Sequence, residues 1–304
     1  MKTREIRKKR RKGFTGDTAL EIFVTLILLV VLVVVGYPVI YVVSASFSNN
    51  EALTAGSVIL WPVNFTVSSY NFVFHFEQVW VGYRNTVFYT VVGVIFTLIM
   101  ETIMAYPLSK KKYQGRKVMT TLMIIAMLTT AGLIPSYIIK KMLGLVDTVW
   151  AVLLTGILGF RNVIILRTAF QSSVPEEMYE AAKIDGAGDF QTLALIGLPL
   201  VKPTVSVLTL YAAVAKWNEY FTSMIYLHDQ KMYPLQLVLR SILTASQTID
   251  ASAVSGSEMM AILQDGTEGI RYALIVISTV PLLVIYAIVQ KSFKGGVMIG
   301  AVKG

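Results

Sequence analysis

An apolar run of about 20 residues, at about 1.5 Å rise per residue, matches the roughly 30 Å hydrocarbon core of a bilayer. This sequence contains six such runs, at residues 19–43, 86–108, 118–139, 149–170, 193–215 and 272–289. The fourth is interrupted by Arg161 and Asn162, which must face protein or water if they lie at membrane depth. Only 15% of the 304 residues are charged and 55% are hydrophobic, against about 25% charged in ordinary soluble domains. The pattern predicts an all-α polytopic membrane protein with six transmembrane helices.

The net charge of +9 would point to nucleic acid in a soluble protein. Here the basic residues flank apolar runs, where they orient helices in the bilayer, so no nucleic-acid partner is expected. Eight Lys and Arg precede the first run, and "KKKYQGRK" (110–117) separates the second from the third, whereas 49–83 contains none. The positive-inside rule therefore places the N-terminus and the 110–117 loop in the cytoplasm, and an even number of spans brings the C-terminus back to the same side. The first apolar run is too long for the core of a signal peptide and reads as a retained helix. The expected organisation is a basic cytoplasmic segment 1–18, a six-helix transmembrane bundle 19–290 and a cytoplasmic tail 291–304. Two long external segments, 46–84 and 228–271, remain. The second carries "SGSEMMAILQDGTEG", whose Met and Leu residues suit a short helix against the bundle or an external partner.

Between the fourth and fifth runs lies "VPEEMYEAAKIDGAGDFQTLALIGLPL" (174–200), charged and punctuated. Ser173 and Glu176 have capping-box spacing and Pro175 suits a first turn, so a helix is expected to start there. Acidic residues cluster early in it, as the helix dipole prefers, and Gly186 is placed to stop it in the left-handed conformation. Asp189 can cap a second helix, and Pro199 and Pro203 mark a kink into the fifth span. Ala181 and Ala182 permit close approach of a partner backbone beside the Glu180 charge; equally, the pair reflects high helix propensity.

The full spacing is more specific. Glu180-Ala181-Ala182, three residues, Gly186, nine residues, then Ile196-x-Leu198-Pro199 resembles the "EAA" cytoplasmic loop of ABC importer membrane subunits. The resemblance spans most of the chain. "AYPLSKKKYQGRK", "TAGLIPSYIIKKMLGLVDTVWA", "NVIILRTAFQSSVPEE" and "KWNEYF" are similar to the carbohydrate-uptake branch, of the maltose-importer type and nearest the complex-polysaccharide, lipoprotein-linked group. It implies the type I importer fold, with a coupling loop at 173–199 whose Glu180, Ala181, Ala182, Asp185, Gly186, Ile196, Leu198 and Pro199 dock an ATP-binding subunit. The ending "GGVMIGAVKG" resembles the tail that enters the ATPase dimer in the maltose relative, which implies ATPase contacts for Gly300, Ala301, Val302 and Lys303. Met298-Ile299-Gly300 stands there in place of the relative's "TAG". The implied partners are a second, non-identical permease, two ATP-binding subunits holding ATP and Mg, an external solute-binding protein, a carbohydrate cargo and membrane lipid. The implied setting is the bacterial cytoplasmic membrane.

Nothing in the chain replaces those partners chemically. There is no cysteine, no G-x-x-x-x-G-K-[ST] phosphate loop, no H-E-x-x-H and no G-x-S-x-G, and His75 and His228 stand alone. No catalytic, metal or cofactor site of this chain's own is expected. Glu101, within the second run, is either a functional intramembrane carboxylate or a buried residue bonded to a neighbouring helix. Trp217, Asn218 and Tyr220 are suited to stacking on sugar faces and equally to an interfacial belt. Transport of a non-sugar solute, a membrane enzyme and a passive channel are the alternative readings.

Overall fold

The computed structural model describes residues 16–129, 131–245 and 267–293, and no strand occurs among them. The chain opens with α1 (Gly16–Ser46), apolar on every face and almost wholly exposed, as a helix surrounded by lipid should be. Short α2 (Asn50–Thr54) and α3 (Ser68–His75) lead into α4 (Glu77–Ser109), the longest helix. Next come α5 (Arg116–Leu128), α6 (Leu133–Met142), α7 (Val149–Leu153) and α8 (Phe160–Ser173). A hairpin follows, formed by α9 (Glu176–Ile184) and α10 (Asp189–Thr192). A π-helical segment, Leu193–Gly197, and α11 (Leu198–Leu200) turn the chain into α12 (Lys202–Trp217). The chain ends with α13 (Phe221–Tyr226), α14 (Leu235–Ala245) and α15 (Thr267–Phe293).

Among the described residues three helices are individually long and apolar enough to cross a membrane, α1, α4 and α15, or up to five crossings if each bent pair is one span. The apolar run at 118–139 is divided into α5 and α6. The run at 149–170 is broken between α7 and α8. The run at 193–215 is two pieces: Asp189–Leu200 lies at 84° to Lys202–Trp217, with Pro203 beginning the new direction. Hydrophobicity alone located these runs, but helix continuity also depends on the Gly and Pro residues within and beside them. The segment at 228–271, expected as a long external segment, contains α14, whose Leu235, Val238, Leu239 and Ile242 are buried against α4 and α15. The basic segment 1–15, most of "SGSEMMAILQDGTEG" and the tail 294–304 lie outside the described residues.

The bundle is organised around α4. Gly82, Thr86, Thr90, Gly93, Thr97, Glu101 and Ala105 recur at three- or four-residue spacing along its buried side. Such small residues let helices approach closely where lipid provides no hydrophobic drive for association. A Cβ on Gly82 would lie 3.0 Å from the Leu235 backbone, so α14 crosses there nearly backbone to backbone. One apolar cluster joins α3, α14, α15 and the start of α4, including Val73, Val79, Leu235 and Leu274. A second surrounds the far end of α4, where Tyr106 meets Leu166 and Phe170 of α8 and Leu208 of α12.

Broken helices leave backbone groups without intrahelical partners, and neighbouring side chains supply them. Thr86 Oγ1 accepts from the Leu235 amide at the start of α14 (2.7 Å). Glu101 Oε1 accepts from the Gly159 amide (3.3 Å) and from Asn162 Nδ2 (2.9 Å) at the start of α8. Lys216 Nζ donates to the carbonyls of Val152 (3.2 Å), in the last turn of α7, and Thr155 (2.7 Å), just past it. The lysine stem reaches them across Gly93, where a Cβ would approach it to 3.1 Å. Lys216→Met keeps the stem and removes the donor. Leaving buried carbonyls unpaired costs about 1–3 kcal/mol, so the thermal unfolding midpoint of the purified protein in detergent should fall. An unchanged midpoint would show that these bonds carry no stability.

Candidate functional site

The hairpin of α9 and α10 is held by local backbone chemistry. Glu176 and Glu177 occupy the first turn of α9 and Lys183 the last, complementing the helix dipole. Gly186 adopts φ +79°, its amide donates to Lys183 O (3.2 Å), and the Ala187 amide donates to Ala182 O (2.9 Å). These are the two bonds of a Schellman cap, and only glycine takes that φ without strain. The start of the helix differs from the sequence reading: Ser173 ends α8, Pro175 is the N-cap of α9, and no side chain caps it, so the Ser173–Glu176 box does not form. The Pro175 ring restricts Val174 to extended backbone, which forces the helix start beyond the serine. At α10 the cap is Gly188 rather than Asp189, and its amide donates to Gln191 Oε1 (3.2 Å).

The two halves of the signature face opposite ways. Glu180, Ala181, Asp185 and Gly186 are exposed, whereas Ala182 is buried within the chain. The two alanines therefore do not form a joint docking face, because adjacent helical positions lie about 100° apart. Leu198 and Ile196 pack partly buried on the cluster around Phe170, and Pro199 is exposed beside them. Gly197 sits against the Phe170 ring, where a Cβ would come within 3.2 Å. The second half thus anchors the hairpin and the first half presents it. Exposed apolar side chains complete the surface: Ile184, Phe190 and Leu195 are 87%, 78% and 74% exposed, too much apolar area in one hairpin to be left in water.

The 110–117 loop grips the hairpin from the side. Lys112 pairs with Glu180 (3.3 Å) and Lys111 with Glu176 (3.5 Å). The Lys110 ammonium sits 3.3 Å from the centre of the Tyr179 ring and 4.6 Å from that of Tyr106. Burial there lowers the Lys110 pKa from its ordinary value, against the opposing pull of Asp189 and Glu176, and burial likewise raises that of the Tyr179 hydroxyl. Between loop and hairpin lies a cavity of about 690 Å³ lined by Tyr106, Lys110, Tyr179, Lys183, Asp189 and Phe190. The basic run was legible as a topology signal. Its contacts with Glu176 and Glu180 were not, since residues about 65 positions apart share no local pattern.

The residues named for a substrate path separate. Glu101 is fully buried and bonded to the start of α8, the neighbouring-helix arrangement, with Oε2 unpartnered among the described residues. Trp217 is a core residue: its Nε1 donates to Ser278 O (3.0 Å) and its ring meets Tyr83 edge-on. Tyr220 is different. It lines a cavity of about 410 Å³ with Gln236, Arg240, Arg271, Ser278 and Thr279, and the Arg240 guanidinium lies 4.9 Å from its ring centre. Asn218 stands beside that cavity, near enough for Gln236 Nε2 to donate to its Oδ1 (3.4 Å). Arg240 and Gln236 belong to α14, the helix hidden in a long segment read as external. Among the described residues no group of three His, Cys, Asp or Glu side chains is placed to hold a metal.

Comparison with known proteins agrees with this architecture. No family model matches the chain. Protein LplC of Bacillus subtilis (strain 168) is 38% identical over 267 residues, covering 88% of this chain and 89% of LplC. The polygalacturonan/rhamnogalacturonan transport system permease protein YtcP of the same organism is 35% identical over 267 residues, covering 88% and 92%. A crystal structure of a bacterial ABC transporter involved in the import of the acidic polysaccharide alginate contains a chain that is 33% identical, with a TM-score of 0.83, covering 93% of this chain and all of that one. With near-full-length similarity in sequence and in fold, the chain belongs to the carbohydrate-uptake family of ABC transporter permeases.

Proposed function

We propose that this chain is one of two non-identical permease subunits of an ATP-driven importer and that its cargo is an acidic oligosaccharide or polysaccharide fragment. The observation that carries the first part is the exposed, glycine-capped hairpin, whose apolar residues await a partner while its second half is anchored in the bundle. One of two ATP-binding subunits docks there, and the pair supplies ATP and Mg. Their closing and opening moves the α9–α10 hairpin, and α8 and α12 carry that motion to alternate the access of a central path. An external solute-binding protein delivers cargo on the opposite side. In this reading α1, α4, α15, the pairs α5–α6 and α10–α12, and the interrupted α7–α8 make six crossings, with both termini and the 110–117 loop in the cytoplasm. The hairpin has no use in a passive channel.

Two observations support an acidic cargo. The names of YtcP and of the solved transporter specify uronate-rich or acidic polysaccharide. The cavity beside Tyr220 combines an aromatic face with Arg240, Arg271 and Gln236, the groups that stack on a sugar ring and bind its carboxylate. The assembled complex in lipid should hydrolyse ATP faster when its binding protein is loaded with a uronate oligosaccharide than with a neutral one of equal length. Equal stimulation by the neutral sugar would contradict the acidic cargo, and no stimulation by any sugar would contradict carbohydrate import.

Glu180 and Gly186 test the coupling. An exposed ion pair contributes about 0–1 kcal/mol, so the Lys112–Glu180 pair opens readily and frees Glu180 for a basic group of the ATPase. Glu180→Ala should therefore lower transport per ATP a few-fold without preventing assembly, whereas Lys112→Ala should leave it near wild type. The space around Gly186 is open, so Gly186→Val acts only through backbone strain, on the order of 1–2 kcal/mol. That strain re-aims α10. At equal membrane expression Gly186→Val should lose more transport than Glu180→Ala, with ATP hydrolysis persisting uncoupled. Measured in reconstituted vesicles, normal transport by Gly186→Val would contradict the hairpin geometry.

A further inference from the structure

A second cavity, of about 580 Å³, lies between the start of α5 and the last turns of α8, lined among others by Lys111, Arg116, Lys117, Thr120, Thr121 and Arg167. No carboxylate lines it. Lys111 is drawn off toward Glu176, while Arg116, Lys117 and Arg167 make no ion pair among the described residues. Two buried polar atoms here, Arg167 Nε and Thr120 Oγ1, also have no hydrogen-bond partner among the described residues. Like charges crowd the site while a guanidinium N–H and a hydroxyl go unsatisfied, an arrangement that an anion with several acceptor oxygens would stabilise. The start of α5 adds the positive end of its dipole. Immediately beyond, Val118 and Leu122 are 64% and 55% exposed, apolar surface continuous with the basic rim.

We infer that this cavity binds the phosphate of an anionic phospholipid in the cytoplasmic leaflet. The headgroup phosphate meets Arg116, Arg167 and Thr120, and the acyl chains lie along Val118 and Leu122. A free phosphate would satisfy the same donors but would leave that apolar surface unused. The inference rests on the orientation proposed above, which puts the 110–117 loop in the cytoplasm. It also gives the permease a lipid contact beside Lys111, one residue from the cation that holds Glu180.

The test uses the complete purified transporter in detergent, with bound lipid read by native mass spectrometry after addition of phosphatidylglycerol or phosphatidylcholine. Phosphatidylglycerol should be retained selectively, and Arg116→Gln with Arg167→Gln should lower its retention roughly tenfold, each cation near an anionic headgroup contributing a comparable share. Arg116→Lys with Arg167→Lys should retain most of it. Thr120→Val, which changes no charge, should weaken retention in an otherwise intact complex if the neutralised variant fails to assemble. Equal retention by wild type and the Gln variant would overturn the site, as would displacement of the lipid by millimolar inorganic phosphate. Photo-crosslinking of position 116 to a partner subunit would overturn it in favour of a protein occupant. ATPase stimulation by loaded binding protein, measured on the same wild-type sample, reports on the transporter reading separately: stimulation without lipid selectivity removes only the lipid site, and lipid selectivity without stimulation removes only the transporter reading.

Discussion

A helix that ends inside hydrocarbon must have its last amides and carbonyls satisfied by protein, because no water is there to do it. This chain breaks several of its apolar runs, and the bundle depends on three side chains that satisfy helix ends at those breaks and at the start of α14. Thr86 and Glu101, both on α4, accept from the starts of α14 and α8, and Lys216 of α12 donates to carbonyls in the last turn of α7 and just past it. The α4 helix can be unbroken over Glu77–Ser109 and lined with small residues because other helices come to it and end against it. Glu101, the carboxylate within the second apolar run, is thereby accounted for as architecture.

From that frame follows the placement of the functional surfaces. Glu101 fixes the start of α8, and α8 runs directly into Val174 and the hairpin, so one helix length separates a buried anchor from an exposed hairpin. The hairpin is clamped on its far side by Ile196, Gly197 and Leu198 against Phe170, and on its near side by the Lys110–Lys112 loop. Motion imposed on α9 therefore reaches α8 and α12 together. The Tyr220 cavity, built from α14, α15 and the turn that follows α12, is set apart from the hairpin along the chain.

The legible part of the sequence was local. Gly186, spaced from the Glu180-Ala181-Ala182 run, determines its own left-handed cap, and uninterrupted apolar length identified α1, α4 and α15. The illegible part was mostly what long-range partners decide, with one local exception at the start of α9. Ser173 and Glu176 carry capping spacing, but the intervening Pro175 moves the helix start. Leu235 to Ala245 has an apolar face that only its packing on α4 and α15 distinguishes from an external segment. Trp217 reads equally as an aromatic for sugar or for an interfacial belt and is held instead in the core by Ser278. Charge runs such as 110–112 indicate a side of the membrane without showing which carboxylates they meet.

Under the proposed function the hairpin is one rigid element, with exposed Ala181 turned outward to the ATPase and buried Ala182 turned inward to the bundle. The chain contains no cysteine, so single-cysteine variants need no background removed. In the assembled transporter, Ala181→Cys should cross-link to the ATP-binding subunit through a short bifunctional thiol–amine reagent, and Ala182→Cys should not. Efficient cross-linking from position 182, or none from position 181 in an assembly that hydrolyses ATP, would contradict this account.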